Sequence, residues 1–273
     1  MAAPRAFVLG HPVGHSRSPK LHGYWLRTLR IEGSYELADV PPEGLAGFFE
    51  TMRAQGFVGG NVTVPHKVES MAFMDRLDEE ARAVGAVNTV WTERGQLVGG
   101  NTDVAGFMAN LDALAPGWEG PAVLLGAGGA ARAAIHGLRQ RHTTVHVVNR
   151  TAAHAAALAD RFGAGVRAHP WEALPELLGS AGLLVNTTSL GMAGRPELEI
   201  DLTRLPRRAV VYDIVYVPRE TALLRQARER GHRTVDGLGM LLHQAAPGFA
   251  HWFGMTPAVT PELRALLEAD IPG

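Results

Sequence analysis

The chain has 273 residues, no cysteine and a formal net charge of −1. Its length allows about two domains, and an apolar content of 46% is ample for buried cores. The balanced charge argues against a nucleic-acid or membrane-surface role, and the missing cysteines exclude disulfides, thiolate chemistry and cysteine-bound zinc. The sequence shows neither a signal peptide nor an apolar run of ~20 residues that could span a membrane. We therefore expect a cytoplasmic protein.

The first hundred or so residues are predicted to alternate between strands and helices, as in an α/β domain. Short apolar runs bounded by turn residues predict strands, and apolar residues at helical spacing predict helices. The predicted strands span residues 5–9, 34–38, 57–64, 87–91 and 96–99, and the predicted helices span 18–29, 42–55, 67–84 and 104–114.

The remainder of the chain predicts a doubly wound α/β sheet followed by two helices. The predicted strands span residues 121–125, 144–148, 182–185 and 209–212, with 235–237 closing the sheet, and the predicted helices span 130–141, 152–162 and 220–230. The last helical segments, 240–253 and 261–269, have no strand partner in this module, so we expect them to return to the first domain. The predicted domains are 1–104 with 238–273, and 105–237, with the active cleft between them.

A glycine-rich turn connects the strand at 121–125 to the helix that follows it. Backbone N–H groups at such a helix start can hold a pyrophosphate, provided that no bulky side chain blocks the approach. The predicted dinucleotide turn consists of Gly126, Ala127, Gly128, Gly129, Ala130 and Ala131.

The next strand runs into Asn149, Arg150 and Thr151, near the expected position of the adenosine ribose. An acidic residue there would accept a hydrogen bond from a free 2′-hydroxyl, whereas a guanidinium and two small polar side chains suit a 2′-phosphate. The sequence therefore predicts NADP rather than NAD. The alternative for Arg150 is an ordinary solvated arginine at a strand end.

The densest polar cluster of the first part covers residues 61–67. In a strand, Asn61 and Thr63 would face a cleft while Val62 and Val64 pack on the other side. The proline at position 65 would end the strand and leave Lys67 at its carboxyl edge, where α/β sheets bind ligands. Two further polar clusters, at 85–89 and 101–103, follow at similar edges, so the three clusters are expected to converge.

The sequence resembles the shikimate dehydrogenases over essentially its whole length. The resemblance is carried in order by the segments 10–19 (GHPVGHSRSP), 61–67 (NVTVPHK), 85–89 (GAVNT), 101–103 (NTD), 126–131 (GAGGAA), 149–151 (NRT) and 236–244 (DGLGMLLHQ). It implies reversible reduction of 3-dehydroshikimate to shikimate by NADPH, a step towards chorismate and the aromatic amino acids. It also implies an N-terminal α/β substrate domain, a Rossmann-like NADP-binding domain and C-terminal helices that return to the first domain.

The resemblance also implies residue roles. Lys67 and Asp103 would be the catalytic pair, since an ammonium can stabilise and protonate the oxygen of a carbonyl that gains hydride. A neighbouring carboxylate favours the charged ammonium, which suits the reduction direction. The implied substrate residues are Ser16, Ser18 and Tyr216 around the carboxylate and Thr63, Asn88, Asp103 and Gln244 on the hydroxyls, and Ile214 and Gly237 join the implied cofactor residues.

Several of these residues also have a plain structural interpretation. The pair of Lys67 and Asp103 could be a structural salt bridge. Ser18 precedes a proline and could cap a helix while facing the ligand. Gln244 could be an ordinary polar helix residue, and Tyr216 a packed loop aromatic.

Two positions depart from the family pattern. His66 stands where a larger aromatic residue is common, which we expect to change packing beside Lys67. His154 stands where relatives often have an arginine or lysine as a second contact to the 2′-phosphate. Because histidine loses its charge near neutral pH, we expect NADP binding to weaken as pH rises. An NADP dissociation constant that stays flat from about pH 6 to pH 8 would refute this hypothesis.

Two alternative functions remain open at this stage. The first is a quinate or shikimate dehydrogenase of the same superfamily with relaxed cofactor use, and the second is a non-catalytic NADP-sensing module. None of the twelve histidines has convincing metal-ligand spacing, so no metal is expected. The expected partner is a small-molecule substrate, without nucleic acid or membrane, and the expected state is a monomer or homodimer.

Overall fold

A computed structural model describes residues 3–271, which form two compact units. One unit comprises the described residues up to Asp103 together with Leu241–Leu267. The other comprises Val104–Met240 together with the described residues from Glu268 onward. Within residues 3–271, no helix is both long enough and apolar enough to cross a membrane.

The first unit contains a six-stranded mixed sheet. Its strands are β1 (Arg5–Gly10), β2 (Ser34–Asp39), β3 (Phe57–Val62), β4 (Arg76–Leu77), β5 (Thr89–Glu93) and β6 (Gln96–Gly100). They lie in the order β2-β1-β3-β5-β6-β4. The sheet changes direction after β3, which is parallel to β1 and antiparallel to β5. The helices that begin in this unit are α1 (Ser18–Thr28), α2 (Leu45–Thr51), α3 (Glu79–Val84) and α4 (Asp103–Leu114).

Strand β1 forms the centre of the first unit because both of its faces are covered. Side chains alternate across a strand, so Phe7 and Leu9 enter one apolar cluster while Ala6 and Val8 enter another. All four residues are at most 2% exposed. Continuous burial of this kind is typical of a strand that lies between two helical layers.

The C-terminal helices α9 (Gly237–Phe253) and α10 (Pro261–Glu268) return the chain to the first unit, as predicted. Two indole N–H groups hydrogen-bond the C-terminal segment to the rest of the first unit. The Nε1 of Trp252 donates to the carbonyl of Val90 over 2.8 Å, and the Nε1 of Trp25 donates to the carbonyl of Ala258 over 3.1 Å. The first unit is therefore completed by residues from both ends of the sequence.

The second unit contains a six-stranded sheet whose paired strands are all parallel. Its strands are β7 (Ala122–Leu125), β8 (Val145–Val148), β9 (Val166–His169), β10 (Leu183–Asn186), β11 (Val210–Asp213) and β12 (Arg233–Val235), and its further helices are α5 (Gly129–Gln140), α6 (Ala152–Phe162), α7 (Leu174–Leu178) and α8 (Ala222–Glu229). The order β12-β11-β10-β7-β8-β9 is that of the doubly wound dinucleotide-binding fold. The predicted fold class is confirmed.

Residues 67–84 do not form the single helix that the sequence predicted. They contain a 3₁₀ helix at Glu69–Phe73, then β4, then α3. The side chain of Asp78 accepts a hydrogen bond from the backbone N–H of Ala81, which makes Asp78 the N-cap of a new helix. The carboxylate of Asp75 accepts from the backbone N–H of Leu97, which fixes β4 beside β6. Local side-chain acceptors therefore override the helical pattern.

Strand β3 ends two residues earlier than predicted, at Val62. Thr63 leaves the strand, although its backbone N–H still donates to the carbonyl of Leu9 over 2.8 Å. Val64 is 68% exposed, so the prediction that it packs beside Val62 is wrong.

Other differences concern short elements. The predicted helix 42–55 is a 3₁₀ helix at Pro42–Gly44 followed by α2, and turns cover the rest. Strand β9 and helix α7 were not predicted. Strand β9 lies at the edge of the sheet and has only four residues. Two of them, Arg167 and His169, are polar, so the strand lacks an apolar run.

Candidate active site

A buried ion pair lies at the centre of the polar cluster in the first unit. The Nζ atom of Lys67 is 2.5 Å from Oδ2 of Asp103, and the two side chains are 13% and 5% exposed. Lys67 follows the turn after β3, and its carbonyl accepts from the backbone N–H of Val87 over 2.7 Å. Asp103 is the first residue of α4, and its backbone N–H donates to Oδ1 of Asn101 over 3.1 Å. Backbone contacts thus fix both charged residues.

Two side-chain amides flank the carboxylate. The Nδ2 of Asn88 donates to Oδ1 of Asp103 over 2.9 Å and to Oε1 of Gln244 over 3.1 Å. The Nε2 of Gln244 donates to the carbonyl of Leu241, which orients that amide within α9. The structure therefore brings four predicted residues, Lys67, Asp103, Asn88 and Gln244, into one hydrogen-bonded cluster.

The loop after β1 approaches the turn that carries Lys67. A Cβ on Gly10 would lie 2.5 Å from Cγ2 of Thr63 and 3.0 Å from the carbonyl oxygen of Val64, so glycine permits this approach. The backbone N–H of His11 donates to that same carbonyl over 3.1 Å. Thr63 is half-buried at this junction.

Ser16 and Ser18 lie at the start of α1 in the same loop. The N-cap is Arg17 rather than Ser18, so the capping interpretation of Ser18 is wrong. The hydroxyl of Ser16 instead accepts from the backbone N–H of Ser18 over 3.3 Å. Ser18 is the first helical residue and is 4% exposed, followed by Pro19.

His66, directly before Lys67, is 1% exposed, and its Nε2 donates to the carbonyl of Val40 over 2.7 Å. The imidazole thus ties the turn to the residue that follows β2. This contact gives the buried histidine a structural role beside Lys67.

The sequence predicted that Asn61 faces a cleft, but its side chain is buried and bonds to Tyr35 and to the carbonyl of Asn88. No roles were predicted for Thr89 or Thr102, although both lie in the polar clusters. Asn61 is 5% exposed and Thr89 fully buried. The Oδ1 of Asn88 accepts from the backbone N–H of Thr102 over 2.7 Å and from the hydroxyl of Thr89 over 3.0 Å. The signal for these residues was the density of small polar side chains in the clusters at 61–67, 85–89 and 101–103.

The glycine-rich turn of the second unit separates β7 from α5. Gly126 has a φ of +105°, and a Cβ there would lie 2.8 Å from Oγ1 of Thr187, so both backbone conformation and space require glycine. A Cβ on Gly128 would meet nothing within 4 Å, which leaves the approach to the helix start open. The first N–H groups of α5 have no partner within their helix. The turn therefore fits a pyrophosphate at the start of a twelve-residue helix.

The residues after β8 are accessible to a ligand. Arg150, Thr151 and His154 are exposed, and Asn149 is half-buried. The Nδ2 of Asn149 donates to the carbonyl of Thr151 over 3.0 Å, which shapes the turn into α6. A guanidinium on an open turn fits the 2′-phosphate of NADP.

A buried carboxylate, Asp213, organises the ends of β10 and β11. Its oxygens accept from Nδ2 of Asn186, from the backbone N–H of Val215 and from the hydroxyl of Thr221, over 2.9, 3.0 and 2.7 Å. Burial raises the pKa of Asp213 to about 6, because the ionised form loses its hydration. These bonds hold the segment that follows β11.

That segment carries two predicted site residues, Ile214 and Tyr216, both half-buried within the second unit. Gly237 packs directly on it, because a Cβ on Gly237 would clash with the carbonyl group of Ile214. Gly237 thus has a packing role within the unit in addition to any cofactor contact.

Among residues 3–271, no group of three or more histidine, aspartate or glutamate side chains could hold a metal ion.

A parallel dinucleotide-binding sheet, together with a unit that buries a lysine–carboxylate pair among amides, defines a two-domain oxidoreductase. Three family models match the chain: the shikimate dehydrogenase substrate binding domain at residues 8–90, shikimate / quinate 5-dehydrogenase at 118–238, and the shikimate 5′-dehydrogenase C-terminal domain at 237–267. The chain belongs to the shikimate dehydrogenase family.

Relatives and solved structures agree with this assignment. The chain is 59% identical to the shikimate dehydrogenase (NADP(+)) of Mesorhizobium japonicum, over 99% of this chain and 98% of the relative. A Thermus thermophilus shikimate 5-dehydrogenase, solved with NADP(H) and shikimate, is 40% identical, with a TM-score of 0.85 and 97% of each chain covered. The quinate dehydrogenase of Corynebacterium glutamicum, solved with NAD, is 28% identical, with a TM-score of 0.89 and coverage of 98% of this chain and 99% of that one.

Proposed function

We propose that this chain catalyses the reversible, NADP-dependent reduction of 3-dehydroshikimate to shikimate. The single observation that carries the proposal is the buried ion pair of Lys67 and Asp103, linked to the amides of Asn88 and Gln244. Identity of 59% to an NADP-dependent shikimate dehydrogenase supports the choice of substrate and cofactor.

In the reduction direction, Lys67 donates a proton to the carbonyl oxygen of the substrate. Negative charge develops on that oxygen as hydride reaches the carbon, and an adjacent ammonium stabilises it. Asp103 holds the ammonium in place through its Oδ2. In the oxidation direction, neutral Lys67 takes the proton back from the substrate hydroxyl.

The remaining polar residues of the first unit bind and orient the substrate. Asn88, Gln244 and Thr63 carry short donors and acceptors that suit ring hydroxyls, and Asp103 accepts from a hydroxyl by its second oxygen. Ser16 and Ser18 suit the carboxylate, since small hydroxyl donors at a helix start favour an anion. Tyr216 completes the proposed substrate set.

The second unit binds the cofactor, which supplies or accepts the hydride when bound. The turn from Gly126 to Ala131 would hold the pyrophosphate, and Asn149, Arg150 and Thr151 would hold the 2′-phosphate. Ile214 and Gly237 would complete the proposed set of cofactor-binding residues. Glycine at position 126 and open space at Gly128 support the pyrophosphate assignment.

Substitution of Lys67 tests the proposal. The only other lysine of the chain, Lys20, provides a control. We expect Lys67→Ala to lower kcat for shikimate oxidation by about 10²–10⁴-fold, the usual range for removal of a general acid–base group. Fluorescence titration should show that the variant still binds NADP. Lys20→Ala is the matched control and should keep the wild-type rate. If Lys67→Ala retains full kcat, Lys67 is not the catalyst.

A substrate comparison separates this function from its alternatives. Steady-state rates with shikimate and quinate, each with NADP and NAD, should be highest for shikimate with NADP. A quinate and NAD optimum would instead favour the activity named for the Corynebacterium glutamicum neighbour. Binding of NADP without turnover of any pair would favour a sensing module.

The proposal also includes a cytoplasmic location, which a chain without cysteine favours, and a monomeric or homodimeric state. Light scattering coupled to size-exclusion chromatography would measure the mass of the particle and decide between these two states.

A further inference from the structure

A continuous chain of hydrogen bonds leads from Tyr35, on the edge strand β2, to the ion pair. The phenol hydroxyl of Tyr35 is 2.6 Å from Oδ1 of Asn61, and Nδ2 of Asn61 is 3.2 Å from Oγ1 of Thr89. The hydroxyl of Thr89 is 3.0 Å from Oδ1 of Asn88, whose Nδ2 is 2.9 Å from Oδ1 of Asp103. All five side chains belong to residues that are at most 8% exposed.

The donors in this chain all point the same way. Tyr35 donates its proton to the amide oxygen of Asn61, which leaves the amide nitrogen of Asn61 to donate to Thr89. Thr89 then donates its only proton to the oxygen of Asn88. The backbone N–H of Thr102 donates to the same oxygen over 2.7 Å, so the two donors together turn the nitrogen of Asn88 toward Asp103. A reversed amide would place its oxygen against the carboxylate.

The orientation of Asn88 matters for the ion pair. A donor at Oδ1 of Asp103 stabilises the ionised carboxylate and leaves Oδ2 to hold Lys67. An acceptor at the same place would repel the carboxylate and change the charge balance around the ammonium. Neither Tyr35 nor Thr89 is exposed enough to reach a ligand, since they are 8% and 0% exposed.

We infer that Tyr35 and Thr89 are positioning residues, which together with the backbone N–H of Thr102 hold the donor direction of Asn88 and thereby tune proton exchange by Lys67. This inference rests on the proposed function of Lys67 and Asp103. Because the hydroxyls act on the ion pair and not on the cofactor unit, their loss changes the pH dependence of turnover and leaves NADPH binding unchanged.

The test uses Tyr35→Phe, which keeps the ring that stacks on His22 at 4.0 Å, and Thr89→Val, which keeps the shape of the side chain. We expect each variant to lower kcat for 3-dehydroshikimate reduction about five- to tenfold, as for the loss of one buried hydrogen bond. The pH at which kcat/KM reaches half its maximum should move in the same direction in both variants. The KM for NADPH should stay at the wild-type value.

Two controls make the result specific. Thr89→Ser keeps the hydroxyl and should keep the wild-type pH profile. Tyr24→Phe removes a tyrosine hydroxyl outside this chain of hydrogen bonds, in α1, and should keep both the wild-type kcat and the wild-type pH profile. The double variant Tyr35→Phe/Thr89→Val should be no worse than Thr89→Val alone, because both hydroxyls act through one path. If Thr89→Val does not fold, Tyr35→Phe carries the test.

The inference is overturned if Tyr35→Phe and Thr89→Val keep the wild-type rate and pH profile, or if Thr89→Ser is as impaired as Thr89→Val. Lys67→Ala distinguishes this failure from failure of the proposed function. An inactive Lys67→Ala beside unchanged hydroxyl variants removes only the positioning role, whereas an active Lys67→Ala removes the proposed function itself.

Discussion

Acidification should destabilise the protein through one buried histidine, His22. Its imidazole is 0% exposed and stacks on Tyr35 at 4.0 Å and on Phe249 at 5.9 Å. Burial lowers the pKa of His22 from 6.5 to about 3, because the charged ring cannot be hydrated there.

The sign and size of the effect follow from this difference. The folded state favours the neutral ring. The contribution of His22 to the free energy of unfolding is therefore fully present above pH 6.5 and is lost as the pH falls toward 3. Each pH unit between these limits costs about 1.4 kcal/mol. Between pH 7 and pH 4 the contribution of His22 to the free energy of unfolding should fall by about 3 kcal/mol.

Urea denaturation of the wild type and of His22→Phe at pH 7, 6, 5 and 4 measures this contribution. Any packing cost of phenylalanine is the same at each pH, so the difference in slope isolates the titration of the ring. We expect the stability of His22→Phe to fall by about 3 kcal/mol less than that of the wild type over this range. The matched control is His154→Gln, an exposed position, which should follow the wild type. Parallel curves for the wild type and His22→Phe would refute the reasoning.

Three further predictions concern the second unit. Arg150→Ala should raise the dissociation constant for NADPH about ten- to hundredfold and leave that for NADH unchanged, as measured by fluorescence titration; equal losses for both cofactors would contradict a 2′-phosphate contact. Gly126→Ala should lower the free energy of unfolding by about 1–3 kcal/mol, because φ is +105° and Thr187 is close, whereas Gly128→Ala, with nothing within 4 Å, should cost less in the same thermal denaturation experiment. Burial raises the pKa of Asp213 from 3.8 to about 6, so ionisation of this carboxylate costs stability as pH rises through this window. In urea denaturation, Asp213→Asn should gain about 3 kcal/mol relative to the wild type between pH 4 and pH 8; a stability difference that does not change with pH would show that Asp213 has the same pKa in the folded and unfolded states.

Much of the second unit could be predicted from the sequence, because its determinants are local. The strand, glycine turn and helix around Gly126 follow one another directly, and each has its own signal in apolar periodicity or turn chemistry. The edge strand β9 escaped prediction because four residues with an arginine and a histidine do not form an apolar run.

The first unit was less predictable, because its polar network depends on strand register. Ala6 of β1 lies beside Tyr35, and Val8 lies beside Asn61, so the Tyr35–Asn61 contact requires the correct register of three strands at once. A shift by one residue would turn Tyr35 to the opposite face. Motif order indicated Lys67 and Asp103, but no local pattern could indicate Tyr35.

The discontinuity of the first unit has a consequence for synthesis on the ribosome. Residues 104–240 emerge as one uninterrupted stretch, so the parallel sheet of the second unit is complete as soon as they leave the exit tunnel. The N-terminal residues are made earlier but must wait for Leu241–Leu267, and until then the sites that receive the indole of Trp252 and the carbonyl of Ala258 stay uncovered. The half of the protein that is translated first therefore receives its last helices only after the parallel sheet of the second half has been made, and we expect nascent chains that stall before residue 241 to expose apolar surface of the first unit.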